Sequence, residues 1–296
     1  LLLLVSGGAS ALAESLPQGM SLDDLQSVTD SLISEGYDID QINAVRRQFS
    51  LVKGGRLLAG FRGGHAVTFA VSDVPGDEVE VIGSGIGGIG PVPEIGFPLP
   101  GVVTAILDRL PVRGTEGSGH IRDAWRAAII ASNRVARDSA AEFAVADGYN
   151  VIVNTQNLHA DINESARRVA DTVLSGESGV YIFGGEPTVV LPENPGDGGR
   201  NQHLALLLAR AFRGRKGIIA VVGGTDGSDG PTDAAGGIID GGTWENCDDP
   251  EKALARADAG SALKSAGALL VTGPTGTNVM DLVIVVKSGS PAQEGS

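Results

Sequence analysis

Short apolar runs alternate with amphipathic stretches along most of the chain. Runs with the length and composition of buried strands lie at 1–5, 65–73, 151–155, 179–183, 217–222 and 281–287. Several stretches between them repeat apolar residues at helical spacing and begin with capping residues or glycines. This alternation predicts an α/β fold with largely parallel sheets.

The amphipathic stretches carry start and stop signals. Ser21 is the predicted N-cap of the first helix and Gly36 its stop. A second helical run, 38–61, is expected to break at its Gly-Gly pair, 54–55. Asn133 is the expected cap of a helix that follows a strand.

A length of 296 residues favours two domains. The Gly/Ser-rich stretch 174–179 is the best boundary, which gives a Rossmann-like α/β domain over 1–176, a second α/β domain over 177–288 and a disordered tail over 289–296. The run 1–5 has no basic flank and is too short to span a membrane, so we interpret it as a buried strand. Because the chain opens inside this run without Met, we expect residues upstream of Leu1.

Composition excludes several classes of function. A formal net charge of −14 argues against binding to nucleic acid or to an anionic membrane. Aromatic residues make up 4%, too few for stacking platforms on single-stranded nucleic acid. The single cysteine, Cys247, excludes an internal disulfide framework and a cysteine-based zinc cluster. We therefore expect a globular protein of the reducing cytoplasm.

Polar, glycine-rich segments follow the apolar runs, where open α/β sheets bind their ligands. They lie at 6–8, 72–73, 184–186, 223–229 and 272–277. Any one of them alone is typical of an ordinary turn. Because both predicted domains contribute to the set, we expect a ligand site in the cleft between the domains.

Three basic residues are candidates for holding an anion. Lys53 and Arg56 flank the Gly-Gly break, where a solvated helix face is the alternative. Arg200 opens an apolar helix, where an acidic residue would stabilise the helix better. The segment SGGAS, Ser6 to Ser10, could cradle a phosphate with backbone N–H groups or form a simple tight turn.

The loop GGTDGSDGPTDAAG, 223–236, places three carboxylates among five glycines. The carboxylates belong to Asp226, Asp229 and Asp233. A solvated loop tolerates such like charge without any function. The alternative is a site for a hard cation and phosphate oxygens, since glycines let a ligand approach the backbone.

Familiar catalytic signatures are missing or out of context. The sequence has no GxxxxGK[ST] phosphate loop and no Gly-x-Ser-x-Gly elbow. GIGGIG at 85–90 matches a dinucleotide fingerprint, but Pro91 and Pro93 prevent the helix that would hold a pyrophosphate. A nicotinamide-dependent enzyme therefore has little support.

Seven segments are familiar as a set: SGGASAL, INAVRRQFSLVKGGRL, SDVPGD, GGEPTV, GRNQHLAL, GTDGSDGPTDAAG and TGPTGTNVMDL. In this order they resemble the glycerate 2-kinase family, whose members end in a MOFRL domain and in some cases carry the name hydroxypyruvate reductase. The resemblance runs from Leu1 to about Lys287, and its last three segments are long and specific.

The resemblance implies two α/β domains with an active site in the cleft between them. It implies phosphoryl transfer from ATP to the 2-hydroxyl of D-glycerate, with Mg²⁺ or another divalent cation. It also implies an upstream Gly-Lys-Ala segment with a catalytic lysine, which this sequence lacks. Phosphoryl transfer needs in-line placement and neutralisation of the transferring group's charge.

On this resemblance, residues of the sequence take provisional roles. Arg200 would stabilise the transition-state charge, Asp226 would be a base or metal ligand, and Lys53 is a third catalytic candidate. Asp229 and Asp233 are candidate metal ligands, or caps that shape the loop. The expected substrate- and nucleotide-binding residues are Ser6, Gly7, Gly8, Ser10, Arg56, Ser72, Asp73, Glu186, Asn201, Thr275, Thr277 and Asn278.

Two departures from the family pattern limit this transfer. Where the family continues from SDVPGD to Ser-Gly-Pro-Thr and Asp-Pro-Thr, this chain has GSGIGGIGPVPE at 83–94. Arg47 and Gln48 replace the usual Lys and His. Ligand contacts made by those family residues are therefore not carried over.

Two other functions stay open. A hydroxypyruvate reductase would need a dinucleotide fingerprint between a strand and a helix. A binding module for small anions would not need the upstream catalytic segment. The expected ligands are ATP, D-glycerate and a divalent cation, without nucleic acid or membrane, and a homodimer is left open.

Overall fold

The computed structural model describes residues 1–90, 92, 94–110 and 119–289. The chain forms two compact units, Leu1–Ile130 and Ala131–Ser296. Pro91, Pro93 and the predicted disordered tail beyond residue 289 lie outside the described residues. Within them, no helix is both long enough and apolar enough to cross a membrane.

The first unit contains a three-stranded sheet in the order β1-β2-β3, in which β1 and β2 are parallel. Its strands are β1 (Leu2–Val5), β2 (Ala66–Val71) and β3 (Trp125–Ala131), whose last residue belongs to the second unit. Its helices are α1 (Ala9–Leu12), α2 (Leu22–Ser34), α3 (Ile39–Phe49), α4 (Arg56–Gly60), α5 (Gly101–Arg109) and α6 (Gly119–Arg122).

The predicted helix signals of this unit are confirmed. Ser21 Oγ accepts from the N–H of Asp24 at 3.1 Å, and the Asp24 carboxylate accepts from the N–H of Ser21 at 2.8 Å. Gly36 follows α2 with φ of 82°. Gly54 and Gly55, with φ of 58° and 79°, separate α3 from α4. Glycine adopts such angles without strain, so the pair forms the turn into α4, whereas α3 already ends at Phe49, where Ser50 is extended.

Strand β1 forms as predicted, but it is not a buried strand. Leu2 and Leu4 are 59% and 74% exposed, and Val5 is its one buried residue. The reason is that β1 is an edge strand, and its Leu2–Leu4 face is left uncovered by the described residues. An apolar run alone does not distinguish such a strand from a central one.

The second unit contains a six-stranded sheet in the order β4-β5-β9-β6-β7-β8. Its strands are β4 (Val151–Leu158), β5 (Gly179–Gly185), β6 (Ile218–Gly224), β7 (Gly236–Asp240), β8 (Leu269–Leu270) and β9 (Asp281–Lys287). Its helices are α7 (Asn133–Ala146), α8 (Ile162–Ser175), α9 (Arg200–Ala211), α10 (Thr243–Asn246), α11 (Pro250–Ala255) and α12 (Ala259–Ser265).

The α/β class is confirmed, but the second sheet is mixed and not largely parallel. Strands β4 and β5 are parallel. Strand β9 lies between β5 and β6 and is antiparallel to both, and the pairs β6–β7 and β7–β8 are also antiparallel. Apolar runs predict strands but carry no information on their direction, so the sequence did not reveal this reversal.

Helices cover both faces of this sheet. Helix α9 packs against β6 and β7, and Leu204 to Ala209 are all buried in the main core. Helix α7 packs against β4 and β5. Its cap is Ser132, whose side chain accepts from the N–H of Val135, and not Asn133 as the sequence predicted.

The two compact units divide at 130/131, whereas the sequence suggested a boundary at 176. Residue 176 lies inside the second unit, because β4 pairs with β5 and α8 packs against α9. The Gly/Ser-rich stretch that suggested the boundary is the connection from α8 to β5.

Candidate functional site

The carboxyl ends of β5 and β6 lie at the same end of the six-stranded sheet, on either side of β9. Asp281, the first residue of β9, pairs with Gly185 at the end of β5 and with Gly224 at the end of β6. The segments after those strands begin with Glu186 and Thr225. Two of the predicted polar strand ends are therefore separated by a single strand.

Arg200, the first residue of α9, contributes the positive charge of this edge. Its Nε donates to Asp281 Oδ2 at 2.6 Å, its Nη2 donates to Asp281 Oδ1 at 3.1 Å, and its Nη1 lies 2.8 Å from Glu186 Oε1. The side chain is 34% exposed. These three contacts leave further guanidinium N–H groups for a ligand.

The electrostatic surroundings keep Arg200 charged. Burial alone lowers the pKa of the guanidinium, but the hydrogen bonds and charge of Asp281, together with Glu186 and Asp229, raise the pKa above its usual value. A fixed cation at the end of two strands is the kind of group that binds an anionic ligand.

Asp281 is a functional candidate that sequence reasoning missed. Its side chain is 1% exposed, and besides the bidentate contact with Arg200 it accepts from Asn201 Nδ2 at 2.9 Å. A signal was present, because MDLVIVVK places one carboxylate at the start of an otherwise apolar strand. A buried carboxylate requires a charged or hydrogen-bonding partner, so such a residue predicts one elsewhere in the chain.

The backbone that carries Asp281 is held in place on both sides. Met280 adopts φ of 69°, which is uncommon for a residue with a side chain. Asn133 Nδ2 donates to the carbonyl oxygens of Val279 at 2.9 Å and Asp281 at 3.0 Å. A Cβ at Gly184 would lie 1.8 Å from Asn133 Oδ1, so glycine is required there. Asn133 therefore supports the site and does not act as a helix cap.

Asp229 is buried and caps α9. Its Oδ1 accepts from the N–H of Asn201 at 3.0 Å, and its Oδ2 accepts from the N–H and Nε2 of Gln202 at 2.8 and 3.0 Å. Burial raises the pKa of Asp229, and the backbone hydrogen bonds partly oppose this. With its oxygens occupied in this way, Asp229 has the geometry of the alternative role, a cap for α9, and its role as a metal ligand stays a prediction.

Asn201, a predicted ligand contact, makes its side-chain hydrogen bonds within the site. It is 1% exposed, and its Nδ2 lies 2.9 Å from Asp281 Oδ1 and 3.4 Å from Asp229 Oδ1. A single amide group thus bridges two buried carboxylates. This contact links the cap of α9 to the Arg200–Asp281 pair.

Asp226 is more accessible than Asp229. Its oxygens accept from the N–H of Ser228 at 3.0 Å and from the hydroxyl of Ser228 at 3.1 Å, within one turn. A Cβ at Gly224 would lie 3.0 Å from Asp226 Oδ1 and 3.4 Å from Asn201 Nδ2. Asp226 is therefore beside the Arg200 cluster, where glycine leaves room for it.

Hydrogen bonds from the segment 272–278 connect this loop to the start of β9. The N–H of Thr275 donates to the carbonyl of Asp226 at 3.1 Å, and its hydroxyl contacts the carbonyls of Thr225 and Thr277 at 2.5 and 3.2 Å. Asn278 Oδ1 accepts from the N–H two residues later at 3.0 Å. Thr275 and Asn278, predicted ligand contacts, thus make contacts that order the loops.

Asp233 is exposed on the same loop. In the described part of the chain, no cluster of three or more His, Cys, Asp or Glu side chains is arranged to hold a metal ion. The assignment of Asp229 and Asp233 as metal ligands stays a prediction.

In the first unit, the ends of the parallel strands β1 and β2 lie side by side, and they bring Asp73 to the segment 6–8. A Cβ at Gly7 would lie 1.5 Å from Asp73 Oδ2, so the carboxylate occupies that space. Asp73 Oδ1 is buried without a hydrogen-bond partner among the described residues, and burial raises the pKa of Asp73. Ser72 beside it is fully buried. A carboxylate here suits a hydroxyl or a cation better than a phosphate.

The segment SGGAS itself forms a closed turn. The N–H groups of Ala9 and Ser10 donate to the carbonyls of Ser6 and Gly7, each at 2.9 Å. The hydroxyl of Ser10 lies 2.7 Å from that of Ser84. Because these groups are already paired, the geometry resembles the tight-turn alternative more than a phosphate cradle.

Lys53 and Arg56 are both buried and paired. Lys53 Nζ lies 2.7 Å from Glu14 Oε2 with its side chain 0% exposed, and burial lowers its pKa more than Glu14 raises it. Arg56 donates to the carbonyls of Ser50 and Gln48 at the end of α3, at 3.0 and 3.3 Å. Both cations therefore stabilise the fold in this structure and do not present their charge to a ligand.

The segment GIGGIG does not form a dinucleotide site. It follows a 3-10 turn, Ile82–Gly85, and the described residues 92 and 94–100 after it form no helix. Without a helix N-terminus, the fingerprint has no group to bind a pyrophosphate.

Known families and structures match both units of the chain. The MOFRL family matches residues 179–281, and the domain of unknown function DUF4147 matches residues 1–88. The D-glycerate 2-kinase of Thermotoga maritima is 38% identical over 96% of this chain and 71% of that protein. The glycerate 2-kinase of Pyrococcus horikoshii is 36% identical over 96% of this chain and 70% of that protein.

A crystal structure supports the same relationship. The glycerate kinase of Thermotoga maritima superimposes with a TM-score of 0.84 at 35% identity, covering 97% of this chain and 72% of that one. The similarity therefore includes the fold of nearly all of this chain.

Proposed function

This chain belongs to the glycerate 2-kinase family, and we propose that the Arg200 cluster is where it transfers the phosphoryl group of ATP to the 2-hydroxyl of D-glycerate. The observation that carries the proposal is the partly exposed guanidinium, which is fixed by Asp281 and contacted by Glu186 at the ends of two strands. The use of ATP as phosphoryl donor follows from the kinase activity of the related chains.

Arg200 would act on the charge of the transferring group. In phosphoryl transfer, charge is spread over the oxygens of the group in transit, and fixed donors stabilise it most when they need no reorganisation. The bidentate contact with Asp281 holds the guanidinium plane before substrate arrives. The remaining N–H groups of Arg200 are then available for phosphate oxygens.

Asp226 would serve the hydroxyl or the cation. As a base, it would accept the proton of the glycerate 2-hydroxyl at Oδ1 or Oδ2. Mg²⁺ chelated by the nucleotide would neutralise phosphate charge, and a cation held in this way needs one or two protein carboxylates. Asp226 fits that need because its two hydrogen bonds come from Ser228 of its own turn, whereas Asp229 is fully engaged as a cap.

The central experiment incubates the protein with ATP, Mg²⁺ and D-glycerate and separates 2- from 3-phosphoglycerate by phosphorus NMR. We expect 2-phosphoglycerate, and we expect Asp226→Asn to lose it. Oxidation of NADH on hydroxypyruvate without any phosphorylated product would replace the kinase with the reductase. Stabilisation by glycerate alone, without turnover, would point to a binding module.

We also propose a cytoplasmic enzyme whose partners are these two small molecules. The acidic net charge of −14 and the lone cysteine support it. Self-association stays a prediction, which sedimentation velocity would measure.

A further inference from the structure

The two carboxylates that hold Arg200 differ in kind. Asp281 is 1% exposed, lies on a central strand and makes two hydrogen bonds to the guanidinium. Glu186 is 47% exposed, makes one contact at 2.8 Å and follows Gly185 on the connection that leaves β5. One partner is therefore part of the core, and the other lies at the surface of the site.

Burial and geometry give the two contacts different strengths. A buried bidentate pair between Arg and a carboxylate is strong and directional, and it breaks only with large loss of stability. An exposed single contact gains little over water, is screened by salt and constrains two long side chains. An incoming anion can therefore compete with Glu186 for Nη1 but not with Asp281 for Nε.

We propose that Glu186 occupies the anion position of Arg200 in the free protein and yields it to the anionic group of the substrate. Asp281 stays in place throughout and acts as a positioning residue for the guanidinium. This inference rests on the proposed role of Arg200. It makes Glu186 an internal competitor, so that a ligand must bring a phosphoryl or carboxylate group to enter the site.

Other carboxylates near Arg200 also oppose the binding of an anion. Asp229 and Asp281 contribute negative charge at the start of α9, and Asp226 lies beside Asn201. Removing the charge of Glu186 therefore leaves the guanidinium with one close carboxylate instead of two, which raises its attraction for an anion.

Glu186→Gln tests the exchange, since glutamine keeps the size of the side chain and removes its charge. We expect the KM for one of the two anionic substrates, D-glycerate or ATP, to fall about 1.5- to 5-fold, the range that an exposed ion pair contributes. We expect kcat to stay within about twofold, because the side chain has left the guanidinium when substrate is bound. A fall in kcat without a lower KM would assign Glu186 to the chemical step and overturn the proposal.

Substitution of Asp281 is predicted to change kcat and not to lower KM, the opposite of the result expected for Glu186→Gln. Asp281→Asn should lower kcat by about 10- to 100-fold without lowering KM, because a displaced guanidinium loses its alignment. Should that variant fail to fold, Asp281→Glu keeps the charge, moves it by one methylene and should show the same split. Equal changes in KM for the Glu186 and Asp281 variants would contradict the division of roles.

A matched control is an exposed ion pair between α9 and α11. Arg210 and Glu251 form an exposed pair at 3.3 Å, away from the strand ends. Glu251→Gln removes the same charge from the protein and should leave both KM values unchanged, so a change there would reveal a non-specific charge effect.

A second measurement does not depend on turnover. Melting temperatures with increasing sodium phosphate, at constant ionic strength, report anion binding to the folded protein. We expect the rise to be larger for Glu186→Gln than for the wild type, even if the wild type has no kinase activity and the proposed reaction fails. Equal rises in the two proteins would overturn the anion exchange, whatever the outcome of the kinase assay.

Discussion

Two basic regions were candidate anion sites from the sequence, and their side chains differ in exposure in the structure. Lys53 and Arg56 of the first unit are buried, paired with Glu14 and with helix-end carbonyls. Arg200 of the second unit is also paired, but a third of its side chain is exposed. A basic residue can bind a ligand only where the fold leaves some of its donors accessible, and of these three residues Arg200 best meets that condition.

The same contrast separates two aspartates of one loop. Asp229 is buried and accepts from the first N–H groups of α9, while Asp226 accepts from a serine in its own turn. Both lie among glycines, and both were candidate metal ligands or bases. The number of buried donors around each carboxylate, and not the spacing in the loop, decides which one is open to a ligand.

The largest expected effect is the loss of turnover when Arg200, the more exposed of the compared basic residues, is replaced. Arg200→Lys keeps the charge and removes the bidentate geometry, so we expect kcat to fall by about 100- to 1,000-fold, as when one fixed charge-stabilising donor is lost. Steady-state kinetics with ATP and D-glycerate measure it. An unchanged kcat would remove Arg200 from the proposed mechanism.

Replacing the buried Lys53 should lower the stability of the protein rather than its turnover. Lys53→Met leaves Glu14 without its partner, and we expect the first unit to lose about 3 kcal/mol of unfolding free energy. The double variant Lys53→Met/Glu14→Leu removes both charges and should recover most of it. Urea denaturation measures both, and a double variant no more stable than the single one would contradict the buried-pair account.

Asp229 offers a smaller effect that distinguishes a cap from a metal ligand. Asp229→Ala should cost about 1–2 kcal/mol of stability, the usual contribution of a helix cap. Asp229→Asn keeps the size of the side chain but has one accepting oxygen for two backbone N–H groups, so it should also be less stable than the wild type. The Mg²⁺ concentration that gives half-maximal rate should be the same for the wild type and Asp229→Asn. A clear increase in that concentration would reinstate Asp229 as a metal ligand.

The smallest expected effect concerns Asp73. Burial raises the pKa of its carboxyl, so folding is favoured with the proton bound, and that contribution is lost as the pH rises through the folded-state pKa. Asp73→Asn should therefore raise the melting temperature at pH 7, and the gain should shrink as the pH falls toward the reference pKa of 3.8. The exposed Asp30→Asn is the matched control, with no gain at either pH. A lower melting temperature for Asp73→Asn at pH 7 would contradict a partly buried carboxylate whose Oδ1 has no partner among the described residues.

Local features of the fold could be predicted from the sequence. The capping box at Ser21, the break at Gly54-Gly55 and strand β2 depend on residues close together in the chain. The α/β pattern predicted polar groups at strand ends, and Glu186 and Asp226 do follow β5 and β6, two strands that are separated by β9. Short-range patterns carry this information because helices and strands have fixed periods.

The partners of charged residues could not be predicted in the same way. Glu14 is 39 residues from Lys53, and Asp281 is 81 residues from Arg200. The direction of β9 was equally hidden, because 217–222 and 281–287 have the same apolar pattern. Each of these features depends on contacts between distant segments, which one sequence does not specify by spacing.

The most direct test of the central claim measures kcat for two variants in one assay of ADP release with D-glycerate. For Arg200→Lys we predict a loss of about 100-fold or more, and for Lys53→Met/Glu14→Leu we predict turnover within about threefold of the wild type. That result would place the working cation in the second unit. Retained turnover in Arg200→Lys, together with its loss in the double variant, would contradict the account and return Lys53 to the catalytic site.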